Sequence, residues 1–422
     1  MISYLFPPLD CGVGRQIKLA KYLPFFGWVP TVLTVNRSFL RPRYDPSRMK
    51  EVSSSIEIFR THSLEIRPLQ RWLPAVLNRL FGLNPKWFQL VDDFIGWLPF
   101  ALYEGTKILK KRHFDLIFST SLPSTCHLVA YFLKKKFGIP WVADFRDPWT
   151  QNPYVTYPKP ISRIENPIEQ AVIRTADKVT TTNSYFTEGF IRKYSSEPKE
   201  KFATIIHGFD PDDFQKLETT VEQKFVMTYT GSFYGLRKPD TFLKAVNDLV
   251  SKHHSLKDQL EIRFVGSAGR SVEATIHRYG LDDTVEVYGQ LSHKKALEHL
   301  HNSSLLLLIT GIRHESTAKD SSGRAFDEFP GKLVEYLAIG KPILALATSE
   351  GSVARIIKST RTGIVVHPSD TEGIQKAVLD FYDLHKRGQL KIKPDLDEFK
   401  KYNIQMSVKR LSEIFTEVAH TK

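Results

Sequence analysis

The densest chemistry in this sequence lies in Pro330-Gly331-Lys332-Leu333-Val334-Glu335-Tyr336-Leu337-Ala338-Ile339-Gly340-Lys341-Pro342. Pro330 and Gly331 bring the chain into a helix whose buried stripe is Val334, Leu337 and Ala338. Glu335 lies three and four residues after Lys332 and Gly331, so the three share one side of that helix. A helix N-terminus presents unpaired N–H groups and partial positive charge, which suits a phosphate. Lys332 adds a full charge. A carboxylate one turn further in can accept two hydrogen bonds from a vicinal diol such as a ribose. The same spacing equally describes a surface helix with a Lys332–Glu335 pair and no ligand.

Three other segments carry candidate groups. Gly231-Ser232-Phe233-Tyr234-Gly235-Leu236-Arg237-Lys238-Pro239 follows an apolar run and opens a helix. Arg237 and Lys238 there either meet phosphates or sit on a solvated basic turn. It is not a Walker loop, because Gly-x4-Gly-Lys-Ser/Thr is absent. In Phe6-Pro7-Pro8-Leu9-Asp10-Cys11-Gly12-Val13-Gly14-Arg15, two glycines let the backbone approach a ligand closely. Position 17 is Ile17, so the dinucleotide fingerprint is incomplete, and a tight turn without ligand is the alternative. In Trp141-Val142-Ala143-Asp144-Phe145-Arg146-Asp147-Pro148-Trp149, three charged residues end an apolar strand. Ligands of open α/β sheets bind at that end. The competing reading is an internal Arg–Asp pair bracing the loop. His127 falls mid-helix and reads as packed. His-Glu-x-x-His, Gly-x-Ser-x-Gly and Cys-x-x-Cys do not occur, so no metal site is expected.

The elements that must position these groups alternate between short β-rich and helical runs, the pattern of parallel α/β sheets. Strands are expected at 2–6, 31–35, 56–61, 115–119, 141–143, 178–182 and 202–206, with helices at 15–26, 124–137 and 161–176. Pro24 ends the first helix a turn early, or Gly27 stops it. After a poorly patterned stretch at 211–223 the alternation restarts. Strands are expected at 225–230, 260–265, 285–288, 304–309, 342–346 and 363–366, and a final helix at 406–419. The expected domains are therefore 1–215 and 216–395, followed by a C-terminal segment at 396–422. The stretch 67–111, rich in Trp, Phe, Lys and Arg, reads as two helices on the first sheet or as an interfacial membrane patch.

Length and composition bound the class. The 422 residues suit two or three domains, and 41% hydrophobic with 25% charged residues is ordinary for a globular chain. No apolar run approaches the roughly 20 residues of a membrane helix, and the N-terminus has no signal-peptide pattern. Two cysteines, Cys11 and Cys126, make no disulfide framework, which points to a reducing cytoplasm. The net charge of +13 favours an anionic contact: nucleic acid, a phosphate-bearing ligand or an acidic membrane face. No nucleic-acid module is recognisable.

Taken in order, these segments resemble glycosyltransferase family 4, retaining enzymes of the GT-B fold. The resemblance runs through the Pro-Pro…Gly-x-Gly start, Lys21-Tyr22-Leu23-Pro24…Gly27-Trp28, Trp141 to Trp149, His207-Gly208-Phe209-Asp210, Tyr229-Thr230-Gly231 and Pro330 to Pro342. It is similar to a subgroup associated with bacterial surface polysaccharides. The resemblance implies two Rossmann-like parallel-sheet domains facing each other across a cleft, an N-terminal acceptor domain, a C-terminal donor domain and a last helix that crosses back. It implies transfer of a sugar from a nucleotide-sugar to a glycan or lipid-linked acceptor, with no cofactor and no metal, at the cytoplasmic side and peripherally on the inner face of the cell membrane. Gly12 and Gly14 would approach the donor, and Lys238, Arg237, Gly331 and Lys332 would hold its phosphates. Glu335 matches the second acid of the Glu-x7-Glu motif and would bind the ribose. The first acid falls on Asp327, with Glu328 beside it. Ser232 stands where many members carry a phosphate-binding arginine, which leaves that role to Arg237. His207 stands where an asparagine is common. Arg146 falls where many members have a donor-contacting histidine, and Asp147 follows it. Two rivals are a GT-B nucleotide-sugar 2-epimerase and a non-enzymatic nucleic-acid-binding protein. Because the first expected strand begins almost at Met1, the start is expected a few residues upstream.

Overall fold

Short apolar runs separated by amphipathic stretches dictate parallel strands joined by crossover helices. The computed structural model describes residues 1–9, 12–38, 44–64, 91–152, 159–220, 222–311 and 329–420, and it has this architecture. The strands are β1 (Val32–Val35), β2 (Ile58–Thr61), β3 (Ile117–Thr120), β4 (Trp141–Phe145), β5 (Lys178–Thr181), β6 (Phe202–Thr204), β7 (Phe225–Thr230), β8 (Leu260–Val265), β9 (Val285–Gly289), β10 (Leu305–Ile309), β11 (Ile343–Leu346) and β12 (Gly363–Val366). They pair in parallel throughout. The chain divides into two units, one of Met1–His207 with Ile404–Lys422 and one of Gly208–Asn403. The first boundary thus falls at His207/Gly208 rather than near 215, and the second at Asn403/Ile404 rather than at 395.

In the first unit β3-β4-β5-β6 and β1-β2 are joined through Ile2, which bridges Leu33 on one side and Ser119 on the other. The strand expected at 2–6 shrinks to this bridge. The backbone N–H of Tyr4 turns away to Cys126 Sγ at 3.2 Å, the Ser3 hydroxyl donates to Leu5 O at 2.8 Å, and Pro7 and Pro8 have no N–H to give. Both faces of the sheet are covered, so neighbouring β4 residues enter different cores. Trp141 and Ala143 face one, and Val142 faces the other. That second core is closed by the C-terminal helix Ile404–His420, whose Val408, Leu411, Ile414 and Phe415 pack with Leu19, Tyr22, Phe118, Val142 and Ile205. The first helix, Gly14–Tyr22, tightens into a 3-10 turn at Leu23–Phe26, where Pro24 removes a donor, and stops at Gly27 with φ 82°.

The basic-aromatic stretch at 67–111 lies outside the described residues up to position 90. Its described part is a short turn, Ile95–Trp97, and the helix Leu98–Lys111. Trp97 is fully buried, with Nε1 donating to Thr61 Oγ1 at 2.7 Å. Asp92 anchors the next helix, Thr125–Phe137, by accepting the Thr125 N–H at 2.8 Å and its hydroxyl at 2.7 Å. On that helix His127 is packed, as its mid-helix position suggested. Its Nδ1 lies 2.8 Å from Ser119 Oγ, its ring stacks on Phe145, and burial pushes its pKa down to about 3. Among the described residues no helix is long and apolar enough to cross a membrane.

The second unit orders its strands β12-β11-β10-β7-β8-β9. Its central β10 reads Leu-Leu-Leu-Leu-Ile because both faces are roofed. Leu305, Leu307 and Ile309 join one core, and Leu306 and Leu308 the other.

Candidate active site

The carboxyl edge of the first sheet is set by one cross-strand row. Thr120, Asp144 and Thr180 are register partners on β3, β4 and β5. Both threonine hydroxyls donate to the Asp144 carboxylate at 2.8 Å. Arg15, on the first helix, reaches the same carboxylate with Nε at 3.1 Å and Nη2 at 3.0 Å, and also holds Ile205 O and Ile206 O. Both side chains are fully buried. Burial alone would raise the Asp144 pKa, but the Arg15 charge and the hydrogen bonds outweigh it and hold the carboxyl below its ordinary value. The sequence left an internal Arg–Asp pair open as a reading of this segment. Such a pair exists, but its members are Arg15 and Asp144.

Arg146 and Asp147 take no part in that pair. The Arg146 backbone is fixed by Ser121 Oγ, which accepts its N–H at 3.2 Å, and by the Thr182 hydroxyl, which donates to its carbonyl at 2.6 Å. Its guanidinium donates to Gly12 O at 2.6 Å and, with the Gln16 amide turned to suit, to the Gln16 oxygen at 3.2 Å. Of the two glycines expected to approach a donor, Gly12 accepts from Arg146 through its carbonyl and Gly14 begins the first helix. Asp147 is half-buried and makes no hydrogen bond among the described residues. Desolvation raises its pKa against the pull of Arg146. His207 lies in the same field. Burial, then the charges of Arg15 and Arg146, push its pKa well below the usual histidine range, so its imidazole is neutral.

In the second unit the loops after β7 and β8 meet backbone to backbone. A Cβ on Gly266, whose φ is 138°, would lie 2.4 Å from Gly231 O, so only glycine fits. Lys332 turns to the strand end instead of pairing with Glu335. Its ammonium donates to Thr230 O and lies 3.8 Å above the Tyr229 ring, where a Cβ on Gly231 would come within 2.7 Å of it. Burial, helped by Arg237, pushes the Lys332 pKa well below the usual lysine range. Tyr336 ties the helix Lys332–Ile339 to the sheet. Its hydroxyl accepts the Thr230 N–H at 2.9 Å and donates to Leu307 O at 3.1 Å. Leu333 and Tyr336 are the fully buried members of this helix alongside Leu337, whereas Ala338, expected in the stripe, is half-buried.

Glu335 does not pair with Lys332. Its Oε1 lies 3.0 Å from Nε2 of His293, the first residue of the helix His293–His301, and each side chain is about one-third exposed, at 33% and 31%. Gly331 is the N-cap of the Glu335 helix and is exposed. Arg237 is only 6% exposed and its guanidinium lies over Tyr234, whereas Lys238 is exposed. The two border a hollow of about 610 Å³ with Tyr234, Ser271 and Arg278. Asp327 and Glu328 lie outside the described residues. The second unit thus brings together a glycine-lined strand end, the basic side chains of Lys332 and Arg237 and a carboxylate open to solvent, with Lys238 bordering the hollow beside Arg237. That set can neutralise a diphosphate and bind a diol. His293 and Tyr336 escaped the sequence reading: His293 stands in no motif, and Tyr336 stands within Pro330 to Pro342 with no role read for it. Tyr336 alone carried a signal, being a large side chain next to Glu335 on the helix.

Two family models cover nearly the whole chain: a glycosyl transferase 4-like domain over residues 12–205 and glycosyl transferases group 1 over residues 210–412. A D-inositol 3-phosphate glycosyltransferase of Streptomyces avermitilis is 21% identical over 361 residues, 80% of this chain and 73% of its own. The Streptomyces scabiei protein of that name is 21% identical over 242 residues, 54% of this chain and 50% of its own, so the chain spans half the length of that relative. Among solved structures, sucrose-phosphate synthase from Thermosynechococcus elongatus has a TM-score of 0.65 at 16% identity, covering 100% of this chain and 98% of that one. Anabaena HepE in complex with UDP-glucose has a TM-score of 0.62 at 14% identity, covering 99% and 98%. At these identities the likeness is one of fold.

Proposed function

The chain belongs to the group 1, family 4-like glycosyltransferases of the GT-B fold, and on that premise we propose that it moves a sugar from a nucleotide-sugar to a hydroxyl of a glycan or lipid-linked acceptor, with retention of configuration. The observation that carries this reading is the second unit's Glu335 carboxylate, one turn inside a helix that starts at Gly331, beside Lys332 and the Gly231 loop. Glu335 takes the ribose diol, and the helix N-terminus with Lys332, Arg237 and Lys238 takes the diphosphate. Asp327 is assigned to the transferred sugar.

The chemistry asks little beyond charge. As the bond from the anomeric carbon to the phosphate oxygen breaks, negative charge grows on the diphosphate. Prearranged cations stabilise it more than they stabilise the substrate. In the first unit, Asp147 accepts a hydrogen bond from the acceptor hydroxyl and orients its oxygen, with Arg146 supplying positive charge beside it. UDP-sugars are the first donors to try, because the structurally similar HepE was solved with UDP-glucose.

Because lysine and arginine supply the positive charge, turnover is expected to persist without a divalent ion. The test is release of nucleoside diphosphate from UDP-, GDP- and ADP-sugars with an acceptor panel, in chelator. Formation of a glycosylated acceptor at an undiminished rate supports the reading. Activity abolished by chelator and restored by one divalent ion contradicts the metal-free part. A free epimerised sugar nucleotide without acceptor product contradicts transfer itself.

A role in surface-polysaccharide synthesis at the membrane fits one face of the first unit. The helices Leu98–Lys111 and Thr125–Phe137 expose Lys107, Lys110, Lys111, Lys135 and Lys136 around Tyr103, which is 73% exposed, and Phe132. Each such lysine is worth about 1 kcal/mol near an anionic bilayer. Co-sedimentation is expected with phosphatidylglycerol vesicles at low salt and not with phosphatidylcholine vesicles. Replacing Lys107, Lys110 and Lys111 by Glu should weaken it by at least about tenfold. Equal, negligible binding to both vesicles would reduce the basic face to a solubility device.

A further inference from the structure

We infer that His293 is the positioning residue for Glu335, fixing the carboxylate so that its free oxygen meets the nucleotide's ribose diol; this rests on the assignment of Glu335 to that diol. Glu335 makes one hydrogen bond within the described protein, accepting at Oε1 from His293 Nε2 at 3.0 Å. That contact leaves Oε2 uncommitted. A glutamate on a helix surface samples several rotamers, and ordering it on binding costs side-chain entropy. A partner that holds it beforehand removes most of that cost. The two groups are delivered by different helices of the second unit, the His293–His301 helix after β9 and the Lys332–Ile339 helix before β11.

His293 is itself well held. Ser292 caps its helix by accepting the Lys295 N–H at 3.4 Å, and Leu297 and Leu300 enter the same core as Leu333 and Leu337. The helix therefore fixes the imidazole, and the imidazole fixes the carboxylate. Lys332, three residues before Glu335, does not do this, because its side chain turns to Thr230 O instead of to the carboxylate. A glutamine at position 293 would restore an N–H donor of similar reach, whereas alanine would not.

The experiment measures calorimetric affinities of UDP, GDP and ADP. The tightest of the three is then compared with its 2′,3′-dideoxy counterpart, on wild type, His293→Ala, His293→Gln, Glu335→Ala and the His293→Ala/Glu335→Ala double variant. His293→Ala is expected to weaken the ribonucleotide by about tenfold, His293→Gln by less than about threefold. Neither should change dideoxynucleotide affinity, and His293→Ala should add nothing on the Glu335→Ala background. A His293→Ala loss that persists with the dideoxynucleotide would mean direct contact with base or phosphate and overturns positioning. Normal affinity of His293→Ala beside a weakened Glu335→Ala overturns the inference alone. Equal ribo- and dideoxynucleotide losses in Glu335→Ala remove the diol assignment, and the inference with it.

Discussion

Asp144→Asn is expected to cost the first unit about 3–5 kcal/mol, which a melting curve would register as a fall of roughly 6–20 °C. The change leaves the Arg15 guanidinium buried without its counter-charge, and both side chains have no exposed surface. That is a large part of a typical domain's stability of about 5–15 kcal/mol. The pair also sets the acid limit. A carboxyl whose folded pKa lies below its unfolded value near 3.8 contributes stability that is complete above that value. It is lost as pH falls through the folded pKa, because the unfolded chain then binds the proton more readily. Acid unfolding of the wild type should therefore begin below about pH 4 as far as this group drives it. A variant that melts as the wild type does would show that the cross-strand row is not what holds β3, β4 and β5 in place.

Three residues along, Asp147→Asn should behave in the opposite way. It is expected to lower kcat by at least about tenfold while donor affinity and melting temperature stay near wild type. Asp147 makes no hydrogen bond among the described residues, so its removal strands no partner. Burial raises its pKa against the attraction of Arg146. A carboxylate that must be ionised to orient the acceptor hydroxyl should then give a kcat profile that falls on the acid side above the ordinary carboxylate range. That limb should vanish in Asp147→Asn. Lost stability with intact turnover per folded molecule would make Asp147 a structural residue and leave the acceptor side without a carboxylate.

The contrast between these neighbours shows where a linear reading of the chain stops. Strand positions were legible because burial on both faces writes continuous apolar runs. β7, β8 and β12 fall on the expected residues. Helix ends were legible where glycine must take positive φ, as at Gly27, Gly138 and Gly340. What spacing could not give was long-range partnership. Arg15 and Asp144 are 129 positions apart, and His293 and Glu335 are 42 apart. Local rules offered Glu335 the lysine three residues before it, but a strand end supplied by β7 competes for that lysine and wins. The strand expected at 2–6 failed for a related reason. Its hydrophobicity is real, but Tyr4 and the two prolines divert the backbone from the ladder, which periodicity does not register.

A calorimetric titration of nucleoside diphosphates and their sugars into the wild-type protein and Glu335→Ala decides whether the second unit holds the donor. A nucleotide should bind the wild type, and Glu335→Ala should bind it about 5- to 150-fold more weakly, corresponding to roughly 1–3 kcal/mol, with an unchanged melting temperature. If no nucleotide or nucleotide-sugar binds, or if Glu335→Ala binds as tightly as the wild type, the second unit is not the donor site described here.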